Sequence, residues 1–248
     1  MAEMIYEKTI RVRAVDIDLT GRLQPVIALD YLLEAAGDHA VALGAGVPDL
    51  FKKGLTWVLS RLHVRCLRYP RWGETATLRT WPSAQQPLYS LRDFEVADAA
   101  GPAFLATTSW IVIDLKTKRP VRPADHLPTF PLNSARAIED EFAPLPSPGR
   151  IDFQKKFPVF FSDIDLNRHV TSTVYVQRAL ETVPDDVLFN RRPASIEVNF
   201  RSEAFYGDEI VSRTEKIADT DEKSPRFLHR LSRAADDREF ALLRTSWR

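Results

Sequence analysis

Acidic, amide and imidazole side chains alternate through one short stretch, Asp165-Leu166-Asn167-Arg168-His169-Val170, directly ahead of a segment with helical periodicity. Histidine titrates near neutrality and can take or return a proton, asparagine offers an amide hydrogen bond, and an aspartate can hold either in place. A structural reading stands beside this one, because an Asp-rich turn before a helix is also a common cap.

The elements that must position this stretch occur twice. Asp16-Ile17-Asp18-Leu19 returns as Asp163-Ile164-Asp165-Leu166, and at the same spacing Leu33-Glu34 returns as Leu180-Glu181. Further along, Val64 to Gly73 falls opposite Val198 to Gly207, and Thr108-Ser109-Trp110 opposite Thr245-Ser246-Trp247. Three ordered matches mark a tandem duplication. Each copy opens with a strand, 6–14 or 153–161, and continues into a helix. Pro25 suits the first turn of one helix, whose stripe is Leu29, Leu32, Leu33 and Ala36. Thr171, Ser172 or Thr173 caps the other, whose stripe is Val176, Ala179, Leu180 and Val183. Strand-like runs follow at 57–69, 73–82, 87–97 and 103–115, and again at 194–203, 208–218, 226–234 and 239–247. This order predicts an α+β fold in which each copy is an antiparallel sheet packed on one long helix. The expected domains are 1–130 and 151–248, joined by a Pro-rich linker over 131–150; seven of the 17 prolines fall in 118–150. The first copy has a longer helix-to-strand connection, around Gly44 to Thr56, with room to shape a pocket.

The copies differ where chemistry is at stake. Asp165 pairs with Asp18, but Asn167 pairs with Thr20 and His169 with Arg22. If folding alone required the cluster, both copies would need it, so the asymmetry favours a functional site in the second copy and a structural or binding role for the first.

Composition narrows the function classes. With 34 Lys+Arg against 34 Asp+Glu there is no electrostatic reason to expect nucleic acid as partner. A hydrophobic share of 44% and a charged share of 27% suit an ordinary globular chain. A single cysteine excludes an intramolecular disulfide framework and a multi-cysteine zinc site. No apolar run approaches the roughly 18 residues of a membrane span, and Met1 to Lys8 lacks the apolar stretch of a signal peptide, so a cytoplasmic protein is expected.

The pattern Asp-x-Asn-x-His-Val opening a helix, in the second of two strand–helix–strands units, resembles the acyl-acyl-carrier-protein thioesterases of plants and bacteria over nearly the whole chain. The resemblance implies a tandem, or double, hotdog fold and hydrolysis of fatty acyl-ACP thioesters to free fatty acid and ACP. The partner it implies is acyl carrier protein bearing a fatty acyl phosphopantetheine thioester. It also implies a glutamate on the strand after the second helix, in a Tyr-Arg-Arg-Glu-Cys-Gly-like context. Phe200-Arg201-Ser202-Glu203-Ala204 falls in that place, so Glu203 joins Asp165, Asn167 and His169 as the candidate catalytic set. Strand alternation would put Glu203 on the face of Glu197, Asn199 and Arg201. Two departures stand out: the family's cysteine is Ala204, and the Asn-Asn after His-Val is Thr171-Ser172.

The missing cysteine bears on mechanism. The only thiol, Cys66, alternates with Leu62 and Val64 in the first copy and reads as core packing. Direct attack of water is therefore expected, with Glu203 or His169 as general base, Asn167 or the helix-start amides at the carbonyl oxygen, and Asp165 fixing its neighbours. His39, His63, His126 and His229 lack ligand spacing, and no metal or cofactor is expected. Arg61, Arg65, Arg68, Arg71 and Arg79 surround a single Glu74, a stretch that could receive an acidic carrier or simply form a solvated strand face. As the resemblance implies, Trp57, Trp72, Trp81, Leu29, Leu33 and the 44–56 insertion could line an acyl tunnel; periodicity reads most of them as core. An acyl-CoA thioesterase, a hotdog hydratase or dehydratase, and a non-catalytic acyl-binding module remain as alternatives, and monomer and homodimer are both open.

Overall fold

The computed structural model describes residues 4–218 and 224–248, and the chain divides into two compact units, Met1–Glu141 and Phe142–Arg248. Met1 to Glu3, part of the start considered above, lie outside the described residues.

In the first unit, strand β1 (Tyr6–Arg11) leads to helix α1 (Pro25–Ala42), the short helix α2 (Val47–Phe51) and strands β2 (Leu55–Cys66), β3 (Thr75–Gln85), β4 (Ser90–Asp98) and β5 (Gly101–Asp114). A two-residue strand β6 (Pro120–Val121) pairs with β5. The antiparallel order is β1-β3-β4-β5-β2. α1 begins at Pro25, whose missing N–H costs nothing in a first turn. Its buried residues, Ala28, Leu29, Leu32, Ala35, Ala36 and His39, recur at helical spacing and face the sheet. The helix stops before Gly44, whose φ of 68° only glycine adopts without strain.

The second unit repeats the plan with β7 (Phe153–Pro158), α3 (Ser172–Leu180), α4 (Asp185–Asn190), β8 (Pro193–Phe200), β9 (Glu209–Lys216), β10 (Arg226–Arg233) and β11 (Glu239–Trp247). Its order, β7-β9-β10-β11-β8, matches that of the first unit strand for strand. Each unit thus lays a helix on an antiparallel sheet with the same order of five main strands, the hotdog arrangement. The central helices differ in length: α1 has 18 residues and α3 has 9. Pro184 explains the shorter one, since proline cannot donate to a preceding turn and disfavours helical backbone at the residue before it. Thr171 is the N-cap of α3, but its side chain makes no capping hydrogen bond.

The Pro-rich segment is tied to the first unit over 133–138. Asp93, fully buried, accepts hydrogen bonds from Arg136 Nε and the Ala137 amide, both at 3.0 Å. The Trp81 indole donates to the Ala135 carbonyl, and Ile138 is buried. Two arginines of the arginine-rich stretch meet carboxylates of their own unit. Arg68 pairs with Asp98 and Glu74, and Arg79 with Glu7, because strand pairing brings in carboxylates distant in sequence. No described helix is long and apolar enough to cross a membrane.

Candidate active site

The loop ahead of α3 is built by its own polar groups. The Asp165 amide donates to the His169 carbonyl at 2.8 Å, and the Arg168 amide to the Asp165 carbonyl at 3.0 Å, which forces Arg168 to a φ of 65°. Asp165 Oδ1 accepts the amide hydrogens of Asn167 at 2.8 Å and His169 at 3.3 Å. Asp163 ties the loop's ends: its carboxylate takes the Phe160 amide and pairs with Arg178, and its carbonyl takes the Thr171 amide.

A second segment, 201–207, is drawn to this loop. The Val170 amide donates to the Ala204 carbonyl at 2.9 Å, and the Ala204 amide donates to the Tyr175 hydroxyl oxygen at 2.8 Å. Tyr175 is buried on α3, and burial holds its phenol well above the ordinary range, so the hydroxyl stays neutral. These contacts bring Glu203 Oε2 to 3.3 Å from His169 Nε2. His169 is 23% exposed and Glu203 42%, so both reach water and the space in front of them. The Phe205 ring meets the imidazole edge-on, 5.2 Å between centroids. Asn167 Nδ2 lies 3.4 Å from Asp165 Oδ2, a long contact that leaves the amide able to serve a ligand. The amides of Ser172 and Thr173, in the first turn of α3, have no intrahelical acceptor. Phe160, Phe161, Leu166 and Tyr206, in and next to these two segments, are exposed, and the Phe161 and Tyr206 rings meet edge-on.

The position of Glu203 differs from the alternation expected above. β8 ends at Phe200, and the Arg201 and Ser202 amides both reach the Phe240 carbonyl, so the ladder breaks before Glu203. Glu203 reaches His169 from an irregular segment, not from the face of Glu197 and Asn199. The four candidates nevertheless converge: Asp165 organises the loop, and Asn167, His169 and Glu203 project from it and from the neighbouring segment. Tyr175 was missed by the sequence reading. Its signal was a tyrosine inside an apolar helical stripe, where a buried hydroxyl must find a partner.

The first unit carries the same loop without the chemistry. Asp18 N donates to Arg22 O, Gly21 N to Asp18 O, and Asp18 Oδ1 accepts the amides of Thr20 and Arg22. Gly21, at a φ of 74°, stands where Arg168 does. In place of the His169–Glu203 pair, Arg22 reaches the Tyr69 carbonyl at 3.4 Å while the Tyr69 ring is buried edge-on against Phe104. Cys66, 2% exposed, is on β2 opposite Phe104.

The first unit also has a partly open cavity of about 200 Å³ lined by Leu33, Ala36, Gly37, Leu43, Trp57 and Trp110 among others. Of the residues considered for an acyl tunnel, Trp57, Leu33 and parts of the 44–56 insertion line it. Leu29 is core, Trp81 is buried with its indole on Ala135, and Trp72 is exposed.

Comparison with known proteins places both units. Residues 3–128 match the family model of the acyl-ACP thioesterase N-terminal domain, and residues 147–248 that of the acyl-ACP thioesterase C-terminal domain. A chloroplastic acyl-acyl-carrier-protein hydrolase from Cuphea viscosissima is 26% identical over 263 residues, covering 99% of this chain and 63% of its own length. A chloroplastic oleoyl-acyl carrier protein thioesterase from Coriandrum sativum is 25% identical, covering 98% of this chain and 76% of its own. The chain thus spans less than two thirds of the length of the Cuphea relative. Among solved structures, a 12:0-ACP thioesterase from Umbellularia californica superposes with a TM-score of 0.86 at 22% identity, covering 100% of this chain and 95% of that one. An acyl-ACP thioesterase from Bacteroides thetaiotaomicron gives 0.79 at 24% identity, covering 99% and 98%. At such identities these structures speak to the shared tandem hotdog fold.

Proposed function

The chain belongs to the acyl-ACP thioesterase family, and on that premise we propose that it hydrolyses fatty acyl thioesters of acyl carrier protein to free fatty acid and carrier thiol. The observation that carries this reading is the His169–Glu203 pair at 3.3 Å, set beside Asn167 on a loop that the first unit copies in backbone but not in chemistry.

Water attacks the thioester carbonyl carbon as its proton passes to the Glu203–His169 pair, assistance typically worth about 10²–10⁴-fold. The oxygen that becomes negative is met by the Asn167 amide or the first-turn amides of α3; one such donor is typically worth about 10²–10³ in kcat. The tetrahedral intermediate then collapses, the C–S bond breaks, and the proton held by the pair returns to the departing thiolate. The books balance with water as the only co-reactant. Asp165 acts as a positioning residue through the two amides it holds. A cysteine nucleophile has no support, because the single thiol is buried in the other unit.

In this reading the first unit's cavity holds the acyl chain, the 1–130 and 151–248 domains divide chain binding from chemistry, and the enzyme works in the cytoplasm as a monomer or homodimer. The Cuphea and Coriandrum relatives are chloroplastic. The test is thiol release from matched acyl-ACP and acyl-CoA thioesters of graded length. Hydrolysis that favours the ACP thioesters supports the reading. Equal or better hydrolysis of acyl-CoA would replace the carrier, and no hydrolysis of either would remove the enzyme.

A further inference from the structure

The cavity of the first unit has a polar side. Against its apolar wall stand Arg92, Ser90 and Gln85. Arg92 is 9% exposed, and its Nη1 lies 3.0 Å from His39 Nδ1 and 3.2 Å from Thr80 Oγ1. Among the described residues no carboxylate pairs with it, and its Nε and Nη2 make no hydrogen bond. Burial alone pulls the guanidinium down to about 10, so it is still charged at neutral pH. Ser90 Oγ is likewise buried without a partner. A buried charge without a counter-charge is costly, and proteins seldom keep one without a use.

The fold itself does not ask for an arginine there. Arg92 lies opposite Pro82 on β3 and Thr108 on β5. The matching place in the second unit, opposite Lys216 and Thr245, holds Phe227, which is fully buried. An apolar residue therefore serves the same sheet position. What the arginine adds is a cation beside an aliphatic-sized cavity, with its Nε–Nη2 edge, the edge that grips a carboxylate bidentately, left open.

We infer that this cavity takes an aliphatic chain ending in a carboxylate, with the carboxylate on Arg92 and the methylenes against Leu33, Ala36, Trp57 and Trp110. Two sources offer that chemistry: a free fatty acid entering head first, or the distal carboxylate of a dicarboxylic acyl group. Only the second rests on the thioesterase reading above.

Trp57 and Trp110 line the cavity and report its occupancy by fluorescence. The wild-type protein is titrated with decanoate and with 1-decanol. Decanoate binds at least about 10-fold tighter, as a charge-assisted hydrogen bond predicts. Arg92→Met removes that preference while still binding decanol, which shows its fold intact, and Leu33→Trp, which fills the cavity, weakens both ligands. Equal binding of the two ligands by wild type overturns the inference, as does decanoate binding that survives Leu33→Trp. These readings stand even where Arg92→Met does not fold. In a separate arm, faster hydrolysis of decanedioyl-ACP than of decanoyl-ACP identifies the dicarboxylic source. Hydrolysis of decanoyl-ACP alone, inhibited by decanoate, identifies the free acid. Failure to hydrolyse either thioester contradicts the proposed function and leaves the binding comparison to decide the inference.

Discussion

Asp165 and Asp18 grip the same backbone in two places: one carboxylate oxygen takes the amides two and four residues ahead, at 2.8 and 3.3 Å in one unit and 2.8 and 3.2 Å in the other. A role that recurs where Asn167, His169 and Glu203 have no counterpart is a role in shape. Replacing either aspartate with alanine should therefore destabilise its own unit by about 0.5–2 kcal/mol, the usual cost of losing a side-chain acceptor for backbone amides. Turnover should fall only in Asp165→Ala, through misplacement of Asn167 and His169. Denaturant unfolding and kcat measured on both variants check this; a loss of turnover in Asp18→Ala with the fold retained would contradict the division of labour.

Cys66 provides a control for mechanism. It is buried on β2 opposite Phe104, in the unit that lacks counterparts of Asn167 and His169. Cys66→Ala should cost on the order of 1 kcal/mol in stability and leave kcat within about twofold. A folded Cys66→Ala protein without turnover would restore a thiol nucleophile.

Gly37 sits within α1 on the cavity wall, and a Cβ built there meets nothing within 4 Å. Gly37→Ala should stabilise the helix by about 0.5–1 kcal/mol, because glycine is the freer residue in the unfolded chain. Gly37→Leu should narrow the cavity and move hydrolysis toward shorter acyl chains. A length profile unchanged in Gly37→Leu would separate the cavity from the acyl chain.

His229 gives the second unit a pH-dependent stability. Its ring is fully buried between Thr214 and Thr245, at 2.8 and 2.9 Å, and burial depresses its pKa to about 3. The unfolded chain, with a pKa near 6.5, takes up the proton first. Stability from the neutral ring is thus full above pH ~6.5 and falls as pH drops toward 3, by at most about 1.4 kcal/mol per unit. Unfolding midpoints at pH 7 and pH 5 should differ less in His229→Gln than in wild type, and an equal drop in both would refute this source.

Much of the fold was legible because the duplication is written in short, ordered matches such as Asp16-Ile17-Asp18-Leu19 with Asp163-Ile164-Asp165-Leu166, and because α1 and the strands carry clean periodicity. The reach of α3 was less so, since Pro184 acts through backbone sterics that an apolar stripe does not register. The site's polar members were visible as residue types. Their meeting was not: Glu203 approaches His169 only because the ladder breaks after Phe200 and because Ala204 is held by Tyr175 and Val170. The arginine-rich stretch was open to two readings for a related reason, the carboxylates that Arg68 and Arg79 meet, Asp98 and Glu7, arriving through strand pairing.

The most direct test of the account is steady-state hydrolysis of an acyl-ACP thioester by wild type, Glu203→Gln, His169→Ala and the double variant. Two side chains that share one proton should act as a unit, so each single change lowers kcat at least ~10²-fold and the double change adds little more. Either single variant retaining more than about a tenth of wild-type turnover would contradict the pairing of His169 and Glu203 as the reacting centre.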